Sequence, residues 1–173
     1  MLIAVVSQDE NPRNLQFALV SRLTADVYTA TVVLQAIMKQ ILSIDDEPAM
    51  LRVIRDVLVR YGYVLTTTSD PAEGLQILQS EAIDLLLLDV KMPGTSGFDI
   101  YEEVRKISKI PVLFVTAYPD AFSSKSSRVR QLWEKHAQDG CTDILYKPFQ
   151  IESLREKVEN LIGLPDAPAE KAP

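Results

Sequence analysis

The chain has a single cysteine, Cys141, and a single histidine, His136. One cysteine excludes an intramolecular disulfide, which suits a reducing compartment and argues against a small secreted scaffold. One histidine and one cysteine cannot supply a Cys/His zinc site or a Cys₄ cluster. No apolar run approaches the ~20 residues of a bilayer-spanning helix. The amino terminus, Met1 to Ser7, is apolar but lacks the basic segment of a signal peptide. A cytoplasmic protein with no membrane partner is the expectation. Positive charge is also in short supply: the formal net charge is −6, so the overall field does not favour direct contact with nucleic acid. What remains is ordinary for a globular chain, at 47% hydrophobic and 24% charged over 173 residues. That length suits one domain with room for an appendage.

The most informative stretch is 83–94, Ile-Asp-Leu-Leu-Leu-Leu-Asp-Val-Lys-Met-Pro-Gly. Four consecutive leucines stopped by a charge and by turn residues read as a strand buried on both faces. Asp89 then stands at the strand's carboxyl end, where open α/β sheets form their ligand crevice.

The surrounding pattern repeats this theme. Ile41, Leu42 and Ile44 predict a short buried strand ending at Asp45-Asp46-Glu47. Pro48 suits a first helical turn, and Met50, Leu51, Ile54, Leu58 and Val59 predict its apolar face. Tyr63 to Thr67 is strand-like. Asp70 is the expected cap of a second helix, with Leu75, Ile77 and Leu78 facing inward. After the leucine strand, Phe98, Ile100, Val104 and Ile107 predict a third helix. Ile110 to Val115 predicts a fourth strand ending at Thr116-Ala117. A fourth helix is expected over roughly 127–138, and a fifth strand at Ile144 to Tyr146 ends at Lys147-Pro148. A last helix carries Ile151, Leu154, Val158 and Leu161. Strands and helices that alternate in this way predict an α/β fold, a flavodoxin-like, doubly wound, five-stranded parallel sheet of order 2-1-3-4-5.

Residues 1–37 give only a faint β-α-β outline. They read as a degenerate echo of the segment beyond residue 40, as a genuine extension, or as an over-extended start. The last is preferred, because Met38-Lys39-Gln40-Ile41 makes a natural beginning. The expected organisation is therefore an extension at 1–37, a domain at 38–164 and a Pro/Ala tail at 165–173 with nothing to bury.

Parallel strands place Asp45, Asp46, Asp89, Thr116 and Lys147 around one crevice. Three carboxylates at close quarters raise one another's pKa, and a hard divalent cation resolves the repulsion. Mg²⁺ favours carboxylate and water oxygens. Cation, ammonium and hydroxyl are also the parts that phosphoryl transfer needs. A carboxylate can be the nucleophile, and Asp89 is the best placed. Taken singly, each group has a plain reading: the Asp45-Asp46 pair as a helix cap, Asp89 as a turn starter, Lys147-Pro148 as a loop. Those readings do not account for all of them together.

The runs Ile-Asp-Asp-Glu-Pro (44–48), Leu-Asp-Val-Lys-Met-Pro-Gly (88–94), Thr-Ala (116–117) and Lys-Pro-Phe (147–149) resemble the receiver domain of bacterial two-component response regulators. The resemblance covers about residues 39–163. It implies a phosphoryl-accepting switch in which Asp89 takes the group from a phosphohistidine on a sensor histidine kinase or histidine phosphotransfer protein. A stand-alone receiver is the expectation, since only nine residues follow Leu164. The resemblance implies Mg²⁺ held directly by Asp46 and Asp89, by Asp45 through water, and by the backbone carbonyl of Lys91. It implies that Thr116 turns toward the phosphoryl group and that Lys147 pairs with it. Such a domain is not an enzyme beyond its own phosphorylation and dephosphorylation. A downstream protein partner is expected on the face of the fourth helix, fifth strand and last helix.

Three departures from the family pattern stand out. Ile144 occupies a position that is often aromatic and moves with the threonine, and Tyr146 shares its strand face. Lys91 and Tyr118 are both large and follow Asp89 and Thr116 by two residues. The segment between Thr116 and Lys147 is longer than usual by about two helical turns, and includes Ser123 to Ser127 and the basic Arg128 and Arg130. In the enlarged fourth-helix region, Val129, Leu132, Trp133 and His136 form a stripe that reads as core-facing, or else as an exposed partner contact. Cys141 reads as a small packed residue. Arg52, Arg55 and Arg60 read as a solvated helix face that borders the acidic site. Two alternatives compete with the stand-alone switch. One is the receiver part of a DNA-binding transcriptional regulator lacking its effector. The other is an aspartyl-nucleophile phosphohydrolase, which wants an acid where Lys91 stands. A flavin-binding domain of similar architecture is disfavoured, since the acids at 45–47 would repel a phosphate.

The bulk of Lys91 and Tyr118 predicts a long-lived phosphorylated state, through restricted access of water. Replacement by Lys91→Asn or Tyr118→Glu is expected to speed loss of the phosphoryl group severalfold, followed as the decay of the phosphorylated mass. An unchanged decay rate contradicts the expectation.

Overall fold

The structure is a computed structural model and describes residues 38–117 and 140–165. The expectations for residues 1–37, for Tyr118, for the fourth helix with its Trp133 stripe, and for the tail beyond Pro165 lie outside the described residues.

The described chain runs β1 (Gln40–Ile44), α1 (Pro48–Arg60), β2 (Val64–Thr68), α2 (Pro71–Ser80), β3 (Leu85–Leu88), β4 (Lys91–Met92), β5 (Thr95–Ser96), α3 (Gly97–Ile107), β6 (Val112–Thr116), β7 (Thr142–Tyr146) and α4 (Ile151–Ile162). Five strands form one parallel sheet in the order β2-β1-β3-β6-β7. Setting aside the small antiparallel β4-β5 hairpin, this is the expected order 2-1-3-4-5. The hairpin was not foreseen. It folds the chain just past Asp89 around Pro93-Gly94, where Gly94 adopts a φ of 79°, a conformation open to glycine.

Both faces of the sheet are covered, and strand alternation divides the core accordingly. Leu42, Ile44, Leu86, Leu88, Val112 and Phe114 face one cluster, with Phe98, Ile100, Tyr101 and Val104 of α3. Ile41, Leu85, Leu87, Leu113, Val115 and Leu145 face the other, with Ile54, Val57 and Leu58 of α1 and Leu154 and Val158 of α4. The central leucines need both faces. Leu85 to Leu88 are each fully buried, split two and two between the clusters.

Three expected inward-facing residues are exposed. Val59 is exposed and Val57 takes the buried position, because Val57 keeps the three-residue spacing from Ile54. Ile107, the last residue of α3, is exposed, and Tyr101 is buried against Phe114, with ring centroids 5.2 Å apart. Ile151 lies exposed at the start of α4. Asp70 caps α2 as expected, its Oδ1 accepting from the Ala72 N–H at 2.8 Å.

Candidate functional site

Register assembles the site. Ile44 pairs with Leu88 across β1 and β3, so the next residues, Asp45 and Asp89, leave the sheet side by side. The ladder continues one step beyond each strand: the Asp89 N–H donates to the Ile44 carbonyl at 3.0 Å, and the Asp45 N–H to the Thr68 carbonyl at 3.3 Å. Both acids are therefore held by backbone before their side chains act. On the other side, Thr116 pairs with Tyr146, and the Lys147 N–H donates to the Thr116 carbonyl at 2.8 Å. The Lys147–Pro148 peptide is cis.

The Lys147 side chain crosses to the acids. Its Nζ lies 2.6 Å from Asp45 Oδ2 and 3.5 Å from Asp89 Oδ1. Asp45 Oδ1 accepts from the Glu47 N–H at 2.9 Å, and Asp89 Oδ2 from the Lys91 N–H at 3.1 Å. Asp45 is only 2% exposed and Asp89 6%, whereas Asp46 is exposed at the rim. One carboxylate oxygen from each of Asp45, Asp46 and Asp89 lies within 4.8 Å of the others. These are hard oxygen donors in number and spacing that fit a divalent cation of the Mg²⁺ or Ca²⁺ type, and no soft ligand is among them.

The site opens as a cleft of about 600 Å³ lined by Asp45, Asp46, Glu47, Pro48, Asp89, Lys91, Met92, Pro93, Ala117 and Lys147. Of the anticipated residues, the structure brings Asp45, Asp46, Asp89, Lys91 and Lys147 together here. Thr116 is fully buried at the end of β6, and its neighbour Ala117 takes the cleft wall. Ile144 packs on the α3 side of the core, and Tyr146 is 44% exposed. Arg52, Arg55 and Arg60 are exposed on α1. Cys141 is half-buried. Met92 and Pro93 of the 88–94 run line the cleft as well, next to the β4-β5 hairpin that was not foreseen. The helix that follows is marked at its start by Ser96 and Asp99, which form a capping box.

Burial lifts the Asp89 carboxyl above its ordinary pKa; the Lys147 ammonium opposes this, Asp45 adds to it, and the Lys91 N–H opposes it. The net direction is up. An acid site in want of positive charge is the electrostatic signature of this cleft.

Comparison with known proteins agrees with this geometry. The sequence model of the response regulator receiver domain matches residues 41–159. The chain is 33% identical over 130 residues to the probable transcriptional regulator ycf27 of Cyanophora paradoxa, covering 75% of this chain and 51% of that protein. It is 32% identical over 123 residues to the transcriptional activator protein IrlR of Burkholderia pseudomallei, covering 71% and 50%. The chain thus spans about half the length of these curated relatives. Among solved structures, a CheY-like receiver domain protein from Methanospirillum hungatei superposes with a TM-score of 0.62 at 25% identity, covering 72% of this chain and 94% of that one. The response regulator TrrA of Thermotoga maritima, solved with Mg²⁺ and BeF, gives 0.60 at 32% identity, covering 72% and 99%. The same regulator solved with the histidine kinase ThkA gives 0.59, again at 32% identity over 72% and 99%. This chain belongs to the response regulator receiver domain family. No helix among the described residues is long and apolar enough to cross a membrane.

The raised Asp89 pKa fixes the sign of a pH effect. A carboxyl with a folded pKa above its unfolded value stays protonated longer in the folded state. Its penalty is absent below the unfolded pKa, grows as pH rises toward the folded pKa, and is complete above it. In metal-free buffer, Asp89→Asn is therefore expected to raise the unfolding free energy at pH 7. The gain should vanish on acidification below about 4, where an ordinary aspartate protonates. Urea unfolding of both proteins from pH 3 to 8 checks this, and equal or lower stability of the variant at pH 7 contradicts it.

Proposed function

We propose that this chain is a phosphoryl-accepting signalling switch whose acceptor is Asp89. The observation that carries the reading is the convergence of three carboxylates within 4.8 Å, with the Lys147 ammonium spanning two of them. Asp89 is the acid that ends the central strand, and it is held by both the Lys91 N–H and Lys147.

In this reading a carboxylate oxygen of Asp89 attacks the phosphorus of a phosphohistidine. The O–P bond forms as the P–N bond breaks, and the imidazole leaves with the electron pair. Lys147, already 3.5 Å from Asp89 Oδ1, shifts its attraction to a phosphoryl oxygen. The Thr116 hydroxyl turns from its buried position to donate to another. Mg²⁺ supplies charge neutralisation at the phosphoryl oxygens when bound. Asp46 and Asp89 would hold it directly, Asp45 through water, and the Lys91 carbonyl would complete the protein's share. The hard donor set and the Mg²⁺–BeF complex of TrrA support that choice.

The phosphoryl donor is a sensor histidine kinase or a phosphotransfer protein, a reading supported by the ThkA–TrrA complex. Arg52, Arg55 and Arg60 are exposed on α1, the helix whose first residue, Pro48, lines the cleft, and they suit the approach of such a partner. The domain occupies 38–164 of a cytoplasmic protein, with an extension at 1–37 and a tail at 165–173. It passes its state to a protein partner on the face that includes β7 and α4, and it has no separate enzymatic activity. Lys91, two residues past Asp89, stands where an aspartyl phosphohydrolase wants an acid.

A second reading is favoured by the relatives. They are transcriptional regulators about twice the matched length, which supports a receiver that serves a DNA-binding effector. Both readings share the acceptor.

Incubation with a small-molecule phosphodonor and Mg²⁺, followed by intact-mass measurement, tests the acceptor. The wild type should gain one phosphoryl group and Asp89→Ala none. No added mass on the wild type, or equal addition on the variant, overturns it.

A further inference from the structure

Four of the six glycines, Gly62, Gly94, Gly140 and Gly163, have positive φ. Gly97, the first residue of α3, does not, so the backbone angle is not what calls for glycine there. A Cβ at Gly97 would lie 2.9 Å from Val90 Cα and 3.0 Å from the Asp89 carbonyl carbon, and it would press still closer on the Asp89 carbonyl oxygen. All three are backbone atoms of the acceptor and its neighbour. At Gly74, by contrast, a Cβ would meet the tip of the Ile44 side chain, which has rotamers to move through. The Asp89–Val90 backbone has none, so the missing side chain at Gly97 is what lets it lie against α3.

Hydrogen bonds hold the same contact from the helix side. The Gly97 N–H donates to the Val90 carbonyl at 2.8 Å. The Ser96 hydroxyl reaches the same carbonyl at 3.5 Å and accepts from the Phe98 N–H at 3.2 Å, while the Asp99 carboxylate accepts from the Ser96 N–H at 3.4 Å. Lys91 pairs with Ser96, and Met92 with Thr95, in the hairpin. The segment from Asp89 to Met92 is thus braced along its length by the start of α3.

We propose that Gly97, supported by Ser96, is a positioning residue for the divalent-cation site. It sets the depth of the Asp89–Lys91 backbone, so that the Asp89 carboxylate and the Lys91 carbonyl can serve the same cation as Asp45 and Asp46. The inference rests on the reading that the acidic cleft holds such a cation.

The test uses the full chain and Mn²⁺ as probe, with free ion counted by electron paramagnetic resonance and the melting temperature recorded for each protein. Gly97→Ala should bind Mn²⁺ about tenfold or more weakly than wild type, the scale of loss when the support of a ligand is removed. Ser96→Ala, which keeps the room at Gly97, should lose less in the same direction. Val158→Ala, buried in the other cluster, controls for stability and should keep wild-type affinity despite a lower melting temperature. Folded Gly97→Ala with wild-type affinity overturns the inference, as does equal weakening in Val158→Ala. Where Gly97→Ala does not fold, Ser96→Ala decides, and unchanged affinity overturns the proposal. Wild type that binds no Mn²⁺ removes the cation reading and this inference with it.

Discussion

The Lys147 ammonium, 2.6 Å from Asp45 and 3.5 Å from Asp89, is the interaction on which the rest depends. Two nearly buried carboxylates stand beside each other, with Asp46 at the rim. Adjacent negative charges in a partly desolvated site repel strongly. Burial pushes Asp89 toward protonation; the Lys147 ammonium, shared between two acids, opposes this, and the Asp45 charge adds to it. The cleft therefore has an unmet demand for positive charge. In the proposed function a divalent cation would meet it, and a phosphoryl group arriving with that cation would find its counter-charges in place.

The sheet exists, in functional terms, to hold these charges together. Acids from β1 and β3 adjoin because Ile44 and Leu88 are in register. Lys147 reaches them from across β6, as the residue that follows Tyr146, which pairs with Thr116 where β7 and β6 end together. Register of this kind is not cheaply shifted, since a slip by one residue would carry Asp84 or Asp89 into a position buried on both faces. The same apolar alternation that divides the two core clusters thus fixes the position of every charged group in the site. Local bonds refine it: Glu47 and Lys91 N–H groups each orient one carboxylate, and the start of α3 backs the loop after Asp89.

Much of this was legible in the residues. The leucine run with an acid at its end, the paired acids after Ile44 and the Lys-Pro after Tyr146 pointed to one crevice, because parallel strands bring their carboxyl ends to the same edge. Burial on both faces was readable from the unbroken apolar run. Errors arose where periodicity meets a helix end or a free face. Val59 and Ile107 satisfy an apolar count but fall off the buried stripe or at the last residue of its helix. Thr116 ends a strand that is buried throughout, and Ala117, the next residue, lines the cleft. Ile144 and Tyr146 do share a strand parity, but only Ile144 is covered by the core. The hairpin after Asp89 was missed because two-residue strands carry no periodic signal. The need for Gly97 was hidden because close approach between distant backbone segments leaves no mark in a linear pattern.

The central claim is that Asp89, among all the oxygen and nitrogen nucleophiles of the chain, receives the phosphoryl group. The most direct check is to trap the phosphorylated protein by borohydride reduction and locate the changed residue by peptide mass mapping. Reduction confined to position 89 is the predicted result. A modification found elsewhere, or an acid-stable phosphate on a serine, threonine or tyrosine with position 89 unchanged, would contradict it.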